Sequence, residues 1–414
     1  MDNKKSFRQG LFYGFAIGII VTCAIFSITM YFAIERYKKK ANDNNTVTIT
    51  PEIAQNSDAL SQKISGLKAI VDKYFLDDYD SEKLYEYAYK GFMAGLSDPY
   101  SVYYTAEEYK TLIEQNDGVY YGIGVQLTQS RETGIITATK VFKNSPGEKA
   151  GIKVGDVLYK VSDEEVTGVD LTTVVSKIRG DENTKVHLSL VRPNVEDVVE
   201  VDVIRGKVEV TTVEYEMLDN NIGYILLSDF EEVTANQFKE ALNDLNSQNM
   251  KGLIVDVRNN PGGLLSSVND VLRNLLPKGI IVYTVDKNGS KITYECDGTH
   301  EFKLPMVVLT NKNSASAAEI FAGALKDYKK ATLVGNTTFG KGIVQNIFGL
   351  NDGSAVKVTV SKYYTPNGVN IHKTGIEPDV TVDLDEELLY VSDIPKDKDN
   401  QLQKGIEELL KMIN

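Results

Sequence analysis

Two cysteines and three histidines are all this chain of 414 residues has of the side chains most often used for redox chemistry, metal binding and acid–base catalysis. Cys23 lies inside an apolar run and Cys296 far downstream, so a disulfide joining them is not expected and cysteine-based catalysis is set aside. No paired Cys/His spacing and no H-E-x-x-H occurs, which removes the common zinc sites, and no cofactor or metal is expected. With only His187, His300 and His372 present, a hydrolytic site is better sought in groups that need no histidine. Positive charge is also scarce. The 45 Lys and Arg against 58 Asp and Glu leave a net −13, which argues against binding a phosphate backbone, so nucleic acid is not expected as a partner.

Uncharged apolar stretches are rare too, with one exception at residues 11–34. At ~1.5 Å rise per residue, that stretch crosses a hydrocarbon core of about 30 Å. It outruns an ordinary signal-peptide apolar region and lacks a clear small-x-small cleavage site, so an uncleaved single-pass membrane anchor is expected. Basic residues flank both sides (Lys4, Lys5, Arg8 and Arg36, Lys38, Lys39, Lys40), leaving orientation to the short N-terminal tail. A short tail favours residues 1–10 in the cytoplasm, and the catalytic part is expected on the other side of the membrane.

The length allows two or three domains at ~150 residues each. Residues 35–58 are polar and read as a linker. Over 59–114 apolar residues recur at helical spacing, as in Leu67, Ile70, Val71 and Tyr74, predicting several short helices. Residues 115–205 turn to strand-like patterning. From 206 to 385 strands alternate with helices, with strands expected at 222–227, 252–257, 305–309 and 331–334 and a helix at 316–328, which is an α/β (α+β) pattern. Residues 386–414 close in an amphipathic helix. Its apolar face and that of the N-terminal helices suggest self-association, a homodimer being expected.

The chemistry concentrates in two turns rich in small residues, NKNSASAAEI at 311–320 and GNTTFGKGIVQ at 335–345. If Ser316 and Lys341 meet, they form a nucleophile and base without histidine, provided burial lowers the lysine pKa towards neutrality. Ala315, Ala317 and Ala318 are expected to let a substrate backbone approach, and Phe339 and Val344 to dehydrate the amine. The second turn also spells G-x-x-x-x-G-K, but Gly342 stands where a phosphate loop needs the Ser or Thr that ligates magnesium. A nucleotide site is therefore set aside.

The stretch 122–193 resembles a PDZ domain. Gly122-Ile123-Gly124-Val125 fits its carboxylate-binding loop, Ser145-Pro146 with Ala150-Gly151 its first helix, and Gly155-Asp156 the turn into its next strand. Exposed backbone N–H groups at such glycines can capture a chain-terminal carboxylate, while a strand edge pairs with an extended peptide.

VDVRNNPGGLL, NKNSASAAEIFAGALKD and TTFGKGIVQ together resemble the carboxy-terminal processing proteases, serine peptidases with an embedded PDZ domain. The resemblance runs over roughly 67–384, with Ala318 where a serine is common. It implies a core of the ClpP/crotonase-like type, Ser316 as nucleophile, Lys341 as general base and Gln345 holding the lysine amine. Ser314 stands as the alternative nucleophile. The Gly262-Gly263 turn and the Ala317 N–H would form the oxyanion hole. Glu319, three residues beyond Ser316, either tunes the site or is an ordinary solvated or salt-bridged glutamate. The resemblance further implies polypeptide substrates recognised by apolar C-termini, with Arg179 a polar link between PDZ module and core. The rival function is a catalytically silent PDZ adaptor.

Overall fold

The computed structural model describes residues 51–414 except 131, 390, 392, 393 and 414. The expected anchor at 11–34 and the cytoplasmic tail lie outside the described residues. Among the described residues no helix is long and apolar enough to cross a membrane.

Two compact units form, one up to residue 88 and one from 89 to 414. The first contains the helix Pro51–Tyr74, which starts inside the segment read as linker. Proline suits a helix's first turn because the N–H it lacks would have no intrahelical partner there. Lys68 pairs with Asp72 one turn on, at 2.9 Å.

In the second unit, a five-stranded antiparallel path runs Val125–Gln129, Ile136–Val141, Val157–Val161, Lys185–Val191, Val199–Ile204 in spatial order. Helices Pro146–Lys149 and Leu171–Ile178 pack on it around Ile136, Leu158, Val174, Leu188 and Val203. Ser145 caps the shorter helix, its Oγ accepting from Glu148 N at 3.2 Å. Gly124 has φ +71, and a methyl there would fall 2.3 Å from Ser145 Cβ, so only glycine fits. The two chain crossings that lead into and out of this module, Val119–Gly122 and Gly206–Glu209, pair with each other as an antiparallel ribbon.

The remainder is built on a six-stranded sheet in the order Val213–Leu218, Ile222–Leu227, Gly252–Asp256, Met306–Thr310, Thr332–Gly335, Val380–Thr381. Only the first pair is antiparallel. Parallel strands bury both faces, and GLIVD and MVVLT are accordingly buried at every position. One face carries helices Thr234–Ser247, Leu265–Leu272 and Ala317–Asp327. The opposite face is covered by the helix Asn400–Ile413 through Leu402 and Leu409. The C-terminal helix thus packs its Leu402 and Leu409 face on the sheet of its own chain. A further sheet joins Val102–Tyr104, Ala355–Tyr364, Gly279–Asp286 and Lys291–Cys296, with Ile343–Gly349 also paired to Ala355–Tyr364. The tyrosine-rich segment near residue 100 therefore enters the fold as an edge strand.

Parallel strands align their carboxyl ends on one rim, where binding crevices of α/β sheets form. Four loops leave that rim: Asp229 to Glu231 after the second strand, the Asn-Asn-Pro-Gly-Gly turn after the third, the Ser316 turn after the fourth, and the Lys341 turn after the fifth.

Candidate active site

Ser316 stands at the N-cap of Ala317–Asp327 with φ 55 and ψ −113, outside the regions an L-residue favours. Such backbone strain costs about 1–3 kcal/mol and persists only where neighbours over-determine it. Four contacts do so. Ser316 N donates to Glu319 Oε2 at 2.9 Å, and Tyr363 Oη donates to Ser316 O at 3.2 Å. Ala315 N donates to Asn260 O at 2.9 Å. Gly262 packs so closely that a methyl there would lie 2.7 Å from Ser316 Cβ. Burial pushes the Tyr363 phenol well above its ordinary pKa, so it remains a neutral donor.

Glu319 is fully buried. Its Oε1 accepts from Thr338 Oγ1 at 2.6 Å and Gly340 N at 2.7 Å, and its Oε2 accepts from Ser316 N at 2.9 Å and Lys341 N at 2.8 Å. One carboxylate oxygen therefore holds the backbones of both Ser316 and Lys341. Sequence left Glu319 open between a tuning and an ordinary role; its burial depends on the Lys341 turn, distant in sequence, folding over the helix N-terminus.

Burial, reinforced by the charge of Lys357, lowers the Lys341 pKa below the ordinary lysine value, while Glu319 and Asp98 oppose the shift. Its Nζ lies 4.7 Å from the centre of the Tyr100 ring. The aromatic face at the amine is Tyr100's. Phe339, expected there, is 56% exposed. Gln345 is not bonded to the lysine: at a register shift between Val344 and Gln345, its Nε2 donates to Thr359 Oγ1 at 3.3 Å. Lys341 runs into the strand Ile343–Gly349, whereas a phosphate loop opens a helix.

Ser314 is structural, since its buried Oγ accepts from Asn311 N at 3.0 Å and donates to Val257 O at 2.7 Å. The side chains of Ala317 and Ala318, expected to leave room for a substrate backbone, are buried in the packing of the helix. Gly262 N donates to Asn260 Oδ1 at 2.8 Å, so that amide is engaged within its own turn. Gly262 supplies closeness: a methyl on it would sit 2.9 Å from Ala317 N. Gly263, at φ +132, lies against Phe230, whose carbonyl a methyl would strike at 2.3 Å. Asn260 fixes the turn from below through Nδ2, donated to Leu227 O at 2.8 Å.

Beneath the turn, Arg258 bridges Asp256 at 2.6 Å and Asp399 at 2.7 Å, tying the strand before Asn-Asn-Pro-Gly-Gly to the C-terminal segment. The sequence showed Asp256 and Arg258 within the motif but could not show Asp399 as their partner. On the other flank, Asp229 is raised to about 6 by burial. Glu231 is raised to about 7 by burial and the neighbouring Asp229, and its Oε2 is buried without a hydrogen-bond partner.

Gly122, Ile123, Gly124 and Val125 sit together where the ribbon enters the first module strand. Among the described residues Val125–Gln129 pairs only with Ile136–Val141, leaving its other edge open beside helix Leu171–Ile178. Arg179 caps that helix, 3.4 Å from Glu114 Oε2 and 5.0 Å from the centre of the Tyr120 ring. It thus contacts the ribbon and the helix Ala106–Asp117, across a cleft of about 1370 Å³.

The rim thus brings a serine on a strained helix cap and a half-buried lysine to one end of a parallel sheet, next in the chain to an edge-open β-module, and comparison with known proteins gives the class. Residues 221–382 match the model of peptidase family S41, 137–192 that of a PDZ domain, and 22–108 that of the activating protease CtpB N-terminal domain. Carboxy-terminal processing protease CtpB of Bacillus subtilis is 34% identical over 85% of this chain and 74% of its own length. Carboxy-terminal processing protease CtpA of the same organism is 37% identical over 82% and 72%. A solved structure from Bacteroides fragilis NCTC 9343 shares the fold, with a TM-score of 0.51 at 16% identity over 82% of this chain and 93% of that one. The chain belongs to the carboxy-terminal processing protease family and is a serine-type peptidase.

Proposed function

We propose that this protein is a membrane-anchored, extracytoplasmic endopeptidase that cuts polypeptides whose apolar C-termini engage its PDZ module, using Ser316 as nucleophile and Lys341 as general base. The observation that carries the reading is Glu319 Oε2, which accepts from the amides of both residues. The neutral Lys341 amine takes the Ser316 Oγ proton as oxygen attacks the scissile carbonyl. The tetrahedral oxyanion is met by the Gly263 and Ala317 N–H groups. Lys341 then gives its proton to the departing amine, and water, deprotonated by the same lysine, releases the acyl group from serine.

The open edge of Val125–Gln129 takes the substrate tail as an added strand, with its carboxylate at Gly122 to Val125. Arg179 transmits that engagement to the ribbon through Tyr120. Exposed Leu67, Ile70, Tyr74, Leu84 and Tyr87 in the N-terminal unit support a homodimer. Light scattering that finds only monomer at every concentration contradicts the dimer. Deleting residues 1–40 is expected to move the protein from the membrane to the soluble fraction; retention in the membrane contradicts the anchor.

The function is tested with one unstructured polypeptide ending in apolar residues, prepared with a free or an amidated C-terminus. Faster cleavage of the free acid, by about tenfold in kcat/KM, is expected from loss of charge-assisted bonds to the terminus. Equal rates would remove tail recognition from the account.

A further inference from the structure

Tyr100 belongs to none of the motifs that mark the peptidase, yet its ring is the aromatic surface at Lys341 Nζ. The segment carrying it is built tightly. Asp98 Oδ1 accepts from Tyr100 N at 3.1 Å, and Asp98 Oδ2 accepts from Ser101 Oγ at 2.6 Å. Ser101 Oγ in turn accepts from Thr359 N at 3.0 Å, and Thr359 Oγ1 accepts from Gln345 Nε2 at 3.3 Å. Directly after it, Val102, Tyr103 and Tyr104 pair antiparallel with Lys357, Val356 and Ala355. The chain preceding the PDZ module is therefore stitched to the two strands that follow Lys341.

We propose that Tyr100 is a positioning residue for the Lys341 amine, its ring seating Nζ and favouring the ammonium formed when the serine proton is taken. The inference rests on Lys341 being the general base. A cation over an aromatic face is attracted by the ring's quadrupole, and the attraction grows when water is excluded. The other charged groups around the amine are Lys357, which disfavours the ammonium, and Glu319 and Asp98, which favour it. His372 acts on Asp98 in turn, favouring its ionised form. Burial opposes ionisation of Asp98, but bonds from Ser101, Thr359 and Tyr100 outweigh it and keep its carboxyl below the usual range. Tyr100 thus offsets burial and Lys357, keeping the amine placed and basic enough to accept a proton. This gives the N-terminal arm a part in catalysis.

The test uses the full chain with Tyr100→Leu, Tyr100→Phe and Lys341→Ala. Tyr100→Leu is expected to shift the acid limb of kcat/KM about half to one pH unit lower and to reduce plateau kcat about tenfold, with KM little changed. Tyr100→Phe keeps the ring and is expected to keep the wild-type limb. The Lys341 pKa, followed by ¹³C-lysine NMR in the Ser316→Ala background with and without Tyr100→Leu, should move in the same direction and does not depend on turnover. An unmoved NMR pKa, or a limb displaced equally by Phe and Leu, overturns the role of the ring. Activity surviving in Lys341→Ala instead overturns the base assignment on which the inference rests.

Discussion

Glu319 and Glu231 are both glutamates drawn into the peptidase rim, and their surroundings use them in opposite ways. Glu319 accepts four hydrogen bonds, two of them from the amides of Ser316 and Lys341. Glu231 has a buried oxygen with no partner, and burial beside Asp229 raises it to about 7. A chain of contacts links them, since Phe230, next to Glu231, borders Gly263 while Gly262 borders Ser316. A buried carboxylate surrounded by donors organises a site, whereas one without donors stores a cost that appears when it ionises.

The largest way to break this contrast is Glu319→Gln. The amide nitrogen cannot accept, so two of four buried donors lose their partner; a loss of about 3 kcal/mol in stability and at least about 10²-fold in kcat is expected. Urea unfolding and steady-state kinetics check it, and wild-type kcat would deny the carboxylate its place in holding the site. A smaller effect of opposite sign is expected for Glu231→Gln. Because its folded pKa is raised, the stability linked to Glu231 is fully present below about 4.5 and is lost as pH rises through about 7. At pH 8 the glutamine variant should be more stable by about 1–2 kcal/mol, a figure reduced because the side chain is only partly buried, and near neutral in effect at pH 4.5. Thermal unfolding across that range measures it; a pH-independent difference would contradict the ionisation argument. The smallest stability effect is expected for Arg179→Ala, under about 1 kcal/mol for an exposed pair at 3.4 Å. Its consequence should lie in activation by apolar-tailed peptide, with cleavage of tail-less substrate unaltered. Equal loss of both activities would place Arg179 outside the link.

The parallel strands of the core were legible because continuous apolar runs such as GLIVD and MVVLT announce burial on both faces. The turns that carry Ser316 and Lys341 are legible because small residues cluster directly after those strands. What remained hidden depended on chain segments meeting from far apart. Strands Gly279–Asp286 and Ala355–Tyr364 alternate less clearly, and pairing with Val102–Tyr104 brought Tyr100 to the amine in place of Phe339. The resemblance implies Gln345 as the holder of the lysine amine, whereas beside the bulge at Val344 and Gln345 its Nε2 donates to Thr359 Oγ1. Gly262 was read as a donor from its lack of a side chain, while the Asn260 side chain, two residues earlier, takes its N–H. The C-terminal helix was legible as amphipathic, yet nothing in its own residues says that its partner is the adjacent sheet.

The central claim is tested most directly by incubating the full-length protein and its Ser316→Ala variant with an unstructured polypeptide ending in apolar residues, and reading the products by mass spectrometry. Internal cleavage by the wild type, reduced at least about 10³-fold in the variant, is the predicted result. Cleavage that persists undiminished without the Ser316 hydroxyl would contradict the account.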